Sequence, residues 1–438
     1  MKNSKYGFIG AISIVIANVV GTGVFTSIGF QLEDLKQSST IIILWVLGGI
    51  IALMGSFCYA ELSAAFPRSG GEYHFLRLSF GDLTGFLSGW TSALMGFAAP
   101  MAAAAFAFSS YCNQVISVSF SAEWFGVAIL LSITGIQLLK MQIGERFQVL
   151  FTVGKVLLML VFIVIGFWWP TNEGSILGNS ESNIEWSEML TPAFWIALIY
   201  VSYSYSGWNA TSYIIDDIDK PEKNVPRSIM MGTIFVVVLY VGINYVFMKV
   251  APTSALKGKE EVAHIASAYL FGEHGAKWIS IIIAFFLISS ISSMAIIGPR
   301  VIKRMADDYP QFSFLSVNNK NGVPVRAVLV QLLVSVLLLL TSSFSFIVTA
   351  TGFLLTIFTT LTVVGLMVLR KTRPDVERRI KVPFYPVLPI LFIIFNLFII
   401  LFMIPQKPAE AIAAILFLLL GILAFYAFRL KTKQEKQS

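Results

Sequence analysis

The chain has 438 residues, of which 56% are hydrophobic and 13% charged, and its mean hydropathy is +0.79. Soluble domains carry about 25% charged residues, so this composition excludes a water-soluble fold and calls for an integral membrane protein. The net charge of +7 does not indicate a nucleic-acid partner, because the basic residues fall in short segments between apolar blocks, the pattern of a topology signal.

A hydrocarbon core about 30 Å thick needs about 20 apolar residues per helix, and the apolar blocks predict an all-α protein of about a dozen transmembrane helices. Span 1, 8–30, is too long and too glycine-punctuated for a cleaved signal peptide and holds the interruption Val20-Gly21-Thr22-Gly23-Val24-Phe25. Spans 2 to 5 follow at 40–66, 81–112, 123–140 and 146–169, with Lys155 about ten residues into span 5. Span 6, 191–217, holds a second interruption, Tyr203-Ser204-Tyr205-Ser206-Gly207-Trp208-Asn209. Spans 7 to 12 are predicted at 227–250, 275–299, 325–343, 345–370, 384–404 and 408–430, and 431–438 form a short tail. Spans 1 to 5, spans 6 to 10 and the appended spans 11 and 12 read as one domain over 1–430.

Twelve spans place both termini on one side. If that side is cytoplasmic, its segments carry 24 of the 31 basic residues and the opposite side six, with Lys155 inside a span. This asymmetry predicts a multi-pass inner-membrane protein with both termini in the cytoplasm.

The two cysteines, Cys58 and Cys112, lie in or beside apolar blocks without metal-ligand spacing, so neither a disulfide framework, a metal site nor a cofactor is indicated. His74, His264 and His274 fall in loops or interfacial segments and read as surface residues rather than proton carriers.

Glycine-interrupted spans in corresponding places of two halves point to a midplane binding site, where broken helices expose backbone groups. The interruptions in spans 1 and 6 are five spans apart and so enter the membrane from opposite sides, the sign of an inverted five-plus-five repeat. Glycines in membrane helices also serve close packing. The polar Thr22, Ser204, Ser206 and Asn209 in otherwise apolar spans favour a site. The span 10 threonines Thr349, Thr351, Thr356, Thr359, Thr360 and Thr362 are expected to bond mostly to their own helix.

The chain resembles the amino acid-polyamine-organocation superfamily, nearest its L-type amino-acid transporters and their bacterial relatives. The resemblance rests on Gly21-Thr22-Gly23-Val24-Phe25, Tyr59-Ala60-Glu61-Leu62, and Phe66-Pro67-Arg68-Ser69-Gly70-Gly71-Glu72-Tyr73. It continues through Gly207-Trp208-Asn209, Pro221-Glu222-Lys223-Asn224-Val225-Pro226-Arg227, Thr362-Val363-Val364-Gly365 and the stretches around Arg370 and Lys381-Val382-Pro383, in order over nearly the whole chain. It implies alternating access around a substrate site between unwound spans 1 and 6. There the amides of Thr22 and Gly23 suit a carboxylate, and carbonyls near Val19, Tyr203, Ser204 and Ser206 suit an ammonium. By the same resemblance Tyr203 is an aromatic gate and Asn209 a polar pocket residue standing where some relatives carry an acid. A mid-span lysine is a functional expectation in itself; in sodium-independent relatives it looks like a fixed substitute for a bound ion, the role implied for Lys155.

Glu61 and Glu72 are expected to pair with Arg68 or Arg77 or to cap helices, and Asp216, Asp217, Asp219, Lys220, Lys223 and Arg227 to form an inner rim. Ser289, Ser290, Ser292 and Ser293 are further pocket candidates. Residues 113–122 lack the cysteine by which eukaryotic L-type proteins link to an accessory subunit, so a stand-alone protein is expected, its partners an amino-acid substrate and the lipid bilayer.

Three functions compete. The first is a sodium-independent exchanger or facilitator for neutral amino acids, and the second a proton-coupled or cationic amino-acid or polyamine carrier of the same fold. The third is a non-transporting sensor or a membrane enzyme, for which no signalling domain and no converging nucleophile, base or metal set is found.

Overall fold

The computed structural model describes residues 6–116, 123–139, 145–177, 186–309, 312–320 and 322–435, with side chains omitted at 139, 145–148 and 428–435. Lys2, Lys5, Lys140 and Lys436, residues 117–122 of the loop after span 3, and the side chains of Arg146, Arg429, Lys431 and Lys433 lie outside this description.

Among the described residues, nine helices are long and apolar enough to cross a membrane and correspond to spans 1, 2, 3, 5, 7, 8, 10, 11 and 12. The shorter apolar helices Glu123–Leu139 and Val325–Thr341 supply spans 4 and 9, and a broken helix supplies span 6. The helical stretch Val262–Asp308 is broken at Gly272, where φ is +71° and ψ 175°, so a separate helix precedes span 8, and span 8 itself runs on past its predicted end at 299 to Asp308.

Span 1 divides into half-helices 1a, Phe8–Val19, and 1b, Gly23–Asp34. Span 6 divides into 6a, Pro192–Tyr205, and a 3-10 half, 6b, Ala210–Asp217. The packing follows the repeat: 1a lies on 6b and 1b on 6a, span 2 on span 7, span 3 on span 8, and span 4 on span 9. Each of these pairs joins elements that a five-plus-five repeat makes equivalent, as helices meeting near a pseudo-twofold axis must. Span 1 is largely buried at the centre, whereas spans 11 and 12 present most of their surface outward.

Both ends of the described chain approach one face, here termed the terminal face. Tyr6 pairs with Ile218 beside half-helix 6b, and Phe425 near the other end packs on Phe86 and Tyr309. Asp308 at the end of span 8 takes Arg68 at 3.0 Å and Arg77 at 3.2 Å, and Asp217 takes Arg300 at 2.5 Å. Glu61 therefore pairs not with Arg68 or Arg77 but with Arg370 and Arg378, and its Oε2 also accepts the Val382 amide at 2.7 Å. His74 and His264 are buried rather than surface residues, because the short helix after span 2 and the helix that precedes span 8 fold against the bundle.

Candidate functional site

The chain breaks in span 1 where glycine weakens the helix. The Gly21 amide turns back to the Val19 carbonyl at 2.7 Å, and the amides of Thr22 and Gly23 reach no backbone carbonyl among the described residues. Free amides at a half-helix N-terminus carry partial positive charge and favour an anionic group. In span 6, Ser206 is extended (φ −61°, ψ 154°) and Gly207 sits at φ +96°, a conformation strained for any L side chain. A Cβ on Gly207 would stand 3.0 Å from the Asn18 carbonyl, so the two breaks meet at this glycine. The Asn18 amide in turn donates to the Ile14 carbonyl and to Ser293 Oγ, both at 2.9 Å, tying span 1 to span 8.

A cavity of about 90 Å³ lies at this junction, with Asn18, Phe97, Tyr203, Ser206, Asn209 and Tyr213 in its wall. A buried water occupies about 10 to 15 Å³ on this measure, so the space matches the handful of heavy atoms in a small amino acid. Tyr203, Ser206 and Asn209 are thus brought together. Val19, Thr22, Gly23 and Ser204 do not line the cavity. The Val19 carbonyl accepts the Tyr240 hydroxyl at 2.6 Å. The Ser204 hydroxyl donates to the Tyr200 carbonyl at 2.7 Å and lies 2.8 Å from Ser27 Oγ. A Cβ on Gly23 would stand 2.7 Å from Ser204 Cα, so this glycine lets half-helices 1b and 6a approach. Thr22 faces the Tyr203 phenol.

Lys155 is 2% exposed. Its Nζ donates to Ser290 Oγ at 2.6 Å and to the Val20 carbonyl at 3.2 Å, and Ser290 Oγ lies 3.2 Å from the same carbonyl. One ammonium therefore joins span 5, span 8 and the unwound turn of span 1. Carbonyl and hydroxyl oxygens at a helix break are the ligands by which transporters of broken-helix design hold a small cation.

Glu72 departs from its expected role. It lines the cavity, and its Oε1 accepts Tyr59 Oη at 2.8 Å and Asn209 Nδ2 at 2.9 Å. Asn209 is thus a cavity residue oriented by a buried acid. The span 10 threonines behave as anticipated: Thr349, Thr356, Thr359, Thr360 and Thr362 each donate to a carbonyl four residues back.

A family model described as amino acid permease matches residues 6–425. The chain belongs to the amino acid permease family. The permease is 29% identical over 403 residues to the large neutral amino acids transporter small subunit 2 of Mus musculus, a match covering 88% of this chain and 74% of that one. It is 28% identical over 396 residues to the b(0,+)-type amino acid transporter 1 of the same organism, covering 88% of this chain and 80% of that one. The Asc-type amino acid transporter 1 of Mus musculus is 29% identical over 391 residues, covering 86% and 72%. These matches confirm the resemblance to the L-type branch, and the permease is a membrane transporter of amino acids rather than an enzyme.

Two residues of the candidate site, Asn18 and Tyr240, escape the sequence reading, and a third, Glu72, enters it only in another role. Asn18 carries a legible signal, a lone amide in the apolar run before the span 1 break. Tyr240 and Glu72 carry none, since an aromatic in span 7 and an acid after span 2 acquire meaning only from partners 221 and 137 positions away, Val19 and Asn209.

Proposed function

We propose that the permease carries neutral amino acids across the cytoplasmic membrane by alternating access, as a sodium-independent exchanger or facilitator with both termini in the cytoplasm. The observation that carries this reading is the Lys155 ammonium between Val20 and Ser290, a fixed charge on the oxygens a coupling ion would otherwise occupy. The substrate amino acid lies at the paired breaks, its carboxylate toward the free amides of Thr22 and Gly23 and its ammonium toward carbonyls of Val19, Tyr203, Ser204 and Ser206. Two of those oxygens are engaged in the present arrangement, the Val19 carbonyl by Tyr240 and the Tyr203 carbonyl by Ser206, so substrate entry requires the breaks to part. Tyr203 closes over the substrate as a gate, and Asn209 bounds the pocket. The sidedness rests on the 24 to 6 division of basic residues. The missing cysteine in 113–122 supports a protein that works without a disulfide-linked partner.

The decisive experiment is counterflow uptake in proteoliposomes of each proteinogenic amino acid, with sodium or choline outside and with or without a pH gradient. Uptake of neutral substrates indifferent to sodium is expected; a sodium requirement, or no amino acid taken up, overturns the proposal. The Glu72 carboxyl in the cavity wall gives the cationic-substrate reading one observation in its favour. Its Oε1 is already shared by Tyr59 and Asn209, which supports a structural rather than substrate-pairing carboxylate, and counterflow of arginine and putrescine separates the two.

A further inference from the structure

Two cavities of the permease meet at one side chain. The cavity at the helix breaks and a larger one of about 410 Å³ at the terminal face, bounded by Ser69, Gln137, Arg300, Arg304 and Asp307, share Tyr213 alone among their described lining residues. The Tyr213 ring stands edge-on to Phe97, with centroids 5.3 Å apart, and its hydroxyl lies 3.3 Å from Ser92 Oγ. The segment after span 2 closes over the ring. A Cβ on Gly71 would stand 2.7 Å from Tyr213 Cε1, and the Gly71 amide donates to the Ser212 carbonyl at 3.0 Å.

The next residue is Glu72, 1% exposed. Its Oε1 holds Tyr59 and Asn209, its Oε2 is buried without a hydrogen-bond partner among the described residues, and the Tyr213 ring packs on Gly71, the residue before it, with the Tyr213 hydroxyl on Ser92 and near enough to turn to the free oxygen. The titratable groups facing it are two phenols, Tyr59 from span 2 and Tyr213 from half-helix 6b; Asn209 is neutral. Arg68 and Arg77 are engaged on Asp308, and Arg370 and Arg378 on Glu61. On the same short helix, burial and then the neighbouring Arg68 push the His74 imidazole down to about 4, so it carries no charge near neutral pH.

A buried carboxylate can accept from all three donors around it, and hydrogen bonds to an ionised acceptor are roughly twice as strong as neutral ones. Protonation turns one oxygen into a donor and weakens the set. We propose that Tyr213 plugs the passage between the substrate cavity and the terminal face, and that Glu72 is a proton-binding latch: ionised, it holds the plug shut, and protonated, it releases it. Burial pushes the Glu72 carboxyl up to about 7, against the hydrogen bonds that pull it down, so the latch switches near neutral pH. The proton comes from the water of the terminal-face cavity and returns to it. The inference rests on the transport reading and adds to it a proton site and an inner barrier.

The test reads access rather than uptake. In a background with Cys58 and Cys112 replaced by Ser, Leu355→Cys in the wall of the inner cavity is exposed from the terminal face to a membrane-impermeant methanethiosulfonate, from about pH 5.5 to about pH 8.5. Each rate is divided by that of the same background carrying Glu72→Gln, which cancels the ionisation of the thiol itself. The ratio is expected to fall about tenfold as pH rises through neutrality, the scale of one charge-assisted hydrogen bond gained. Glu72→Asp is expected to keep that fall and Tyr213→Phe to lose most of it. A ratio that stays flat, or a Glu72→Asp profile as flat as that of Glu72→Gln, overturns the latch. If Glu72→Gln does not assemble, Tyr213→Phe becomes the reference, and a profile identical to its own in the otherwise unaltered background overturns the proposal equally. Flat accessibility in a protein that still takes up amino acids removes the latch and leaves the transport reading. Gated accessibility without uptake does the reverse.

Discussion

Lys155 Nζ lies 2.6 Å from Ser290 Oγ, so an ammonium on span 5 is bonded across the core to span 8 while also reaching the Val20 carbonyl on span 1. Removing it takes a donor from both oxygens, and although the Val20 carbonyl keeps the Ser290 hydroxyl, the loss costs about 1 to 3 kcal/mol. Lys155→Ala is therefore expected to reach the membrane but exchange substrate at least about fivefold more slowly, the effect of the lower end of that range. Lys155→Arg is expected to rescue little, because a planar fork does not replace a compact point charge. Radiolabelled uptake by both variants with sodium or choline outside checks this. An unimpaired Lys155→Ala, or strong sodium stimulation of the unaltered permease, defeats the ion-substitute role.

Tyr240 donates to the Val19 carbonyl at 2.6 Å and so occupies the last carbonyl of half-helix 1a. Its ring also packs on Trp45 and Tyr205, so Tyr240→Phe keeps the packing and loses only the hydroxyl. One neutral hydrogen bond contributes about 1 kcal/mol, enough to shift a two-state equilibrium about fivefold. The variant is expected to fold normally and to change exchange rate by that order. A rate equal to that of the unaltered protein, measured in the same liposomes, shows that the bond does not bias the transport cycle.

The fold was legible where the sequence carries a local signal. Gly21, Gly23 and Gly207 mark both breaks because a helix interior disfavours glycine and Gly207 needs a positive φ. Hydropathy locates the spans but ends span 8 at 299, since Arg300, Lys303, Arg304, Asp307 and Asp308 lie in the last turns of its helix and dilute its apolar average. The site was legible only in part. Tyr203, Ser206 and Asn209 declare themselves by lying beside a break, whereas the hydrogen bonds of Glu72 and Tyr240 join segments far apart in the chain. Glu61 shows the same limit: its true partners, Arg370 and Arg378, lie more than 300 positions away, beyond the nearby arginines that sequence proximity suggests.

Gly23 is tested by adding atoms. A Cβ would approach Ser204 Cα to 2.7 Å and Ser204 Cβ to 2.8 Å, and a backbone neighbour cannot rotate away. Overpacking of this kind costs about 1 to 3 kcal/mol. Gly23→Val adds a branched side chain beside the free amides and is expected to abolish substrate binding, with Gly23→Ala intermediate. Thr22→Ala is expected to be milder, because the backbone amide remains. Substrate affinity measured by scintillation proximity decides the matter: a Gly23→Val protein that binds like the unaltered one sinks the carboxylate assignment.

Glu61 governs stability rather than transport chemistry. Fully buried, it accepts Arg370 Nε at 2.8 Å, meets Arg378 Nε at 3.3 Å and takes the Val382 amide, clamping the end of span 2 to span 10 and the segment after it. Breaking a buried pair from one side typically costs about 3 to 5 kcal/mol. Glu61→Gln is expected to lower the melting temperature in detergent by several degrees, with uptake per folded molecule less affected than yield. A Glu61→Gln protein as heat-stable as the unaltered one refutes the clamp.

Tyr203 carries the last prediction. Its ring is 5% exposed, lines the cavity, and lies at the end of half-helix 6a, where the chain unwinds one residue beyond the turn it completes. Two contributions can be separated. The phenol faces Thr22 across the two breaks, so Tyr203→Phe removes a polar link and keeps the shield. Tyr203→Ala removes the shield itself and opens the substrate to water, which weakens every charge interaction a zwitterion makes in the pocket. Truncating a buried aromatic costs about 3 to 5 kcal/mol in a closed core. Here the loss is expected to be smaller, because the ring already borders a cavity, so folding is expected to suffer less than transport. The expected order of exchange rates is unaltered protein, then Tyr203→Phe, then Tyr203→Ala, with the last reduced about a hundredfold on the scale of a lost preorganised contact. Counterflow in liposomes, normalised to folded protein by size-exclusion chromatography, gives the measurement. Tyr203→Ala exchanging at the unaltered rate would falsify the gate assignment and make Tyr203 a packing residue of half-helix 6a.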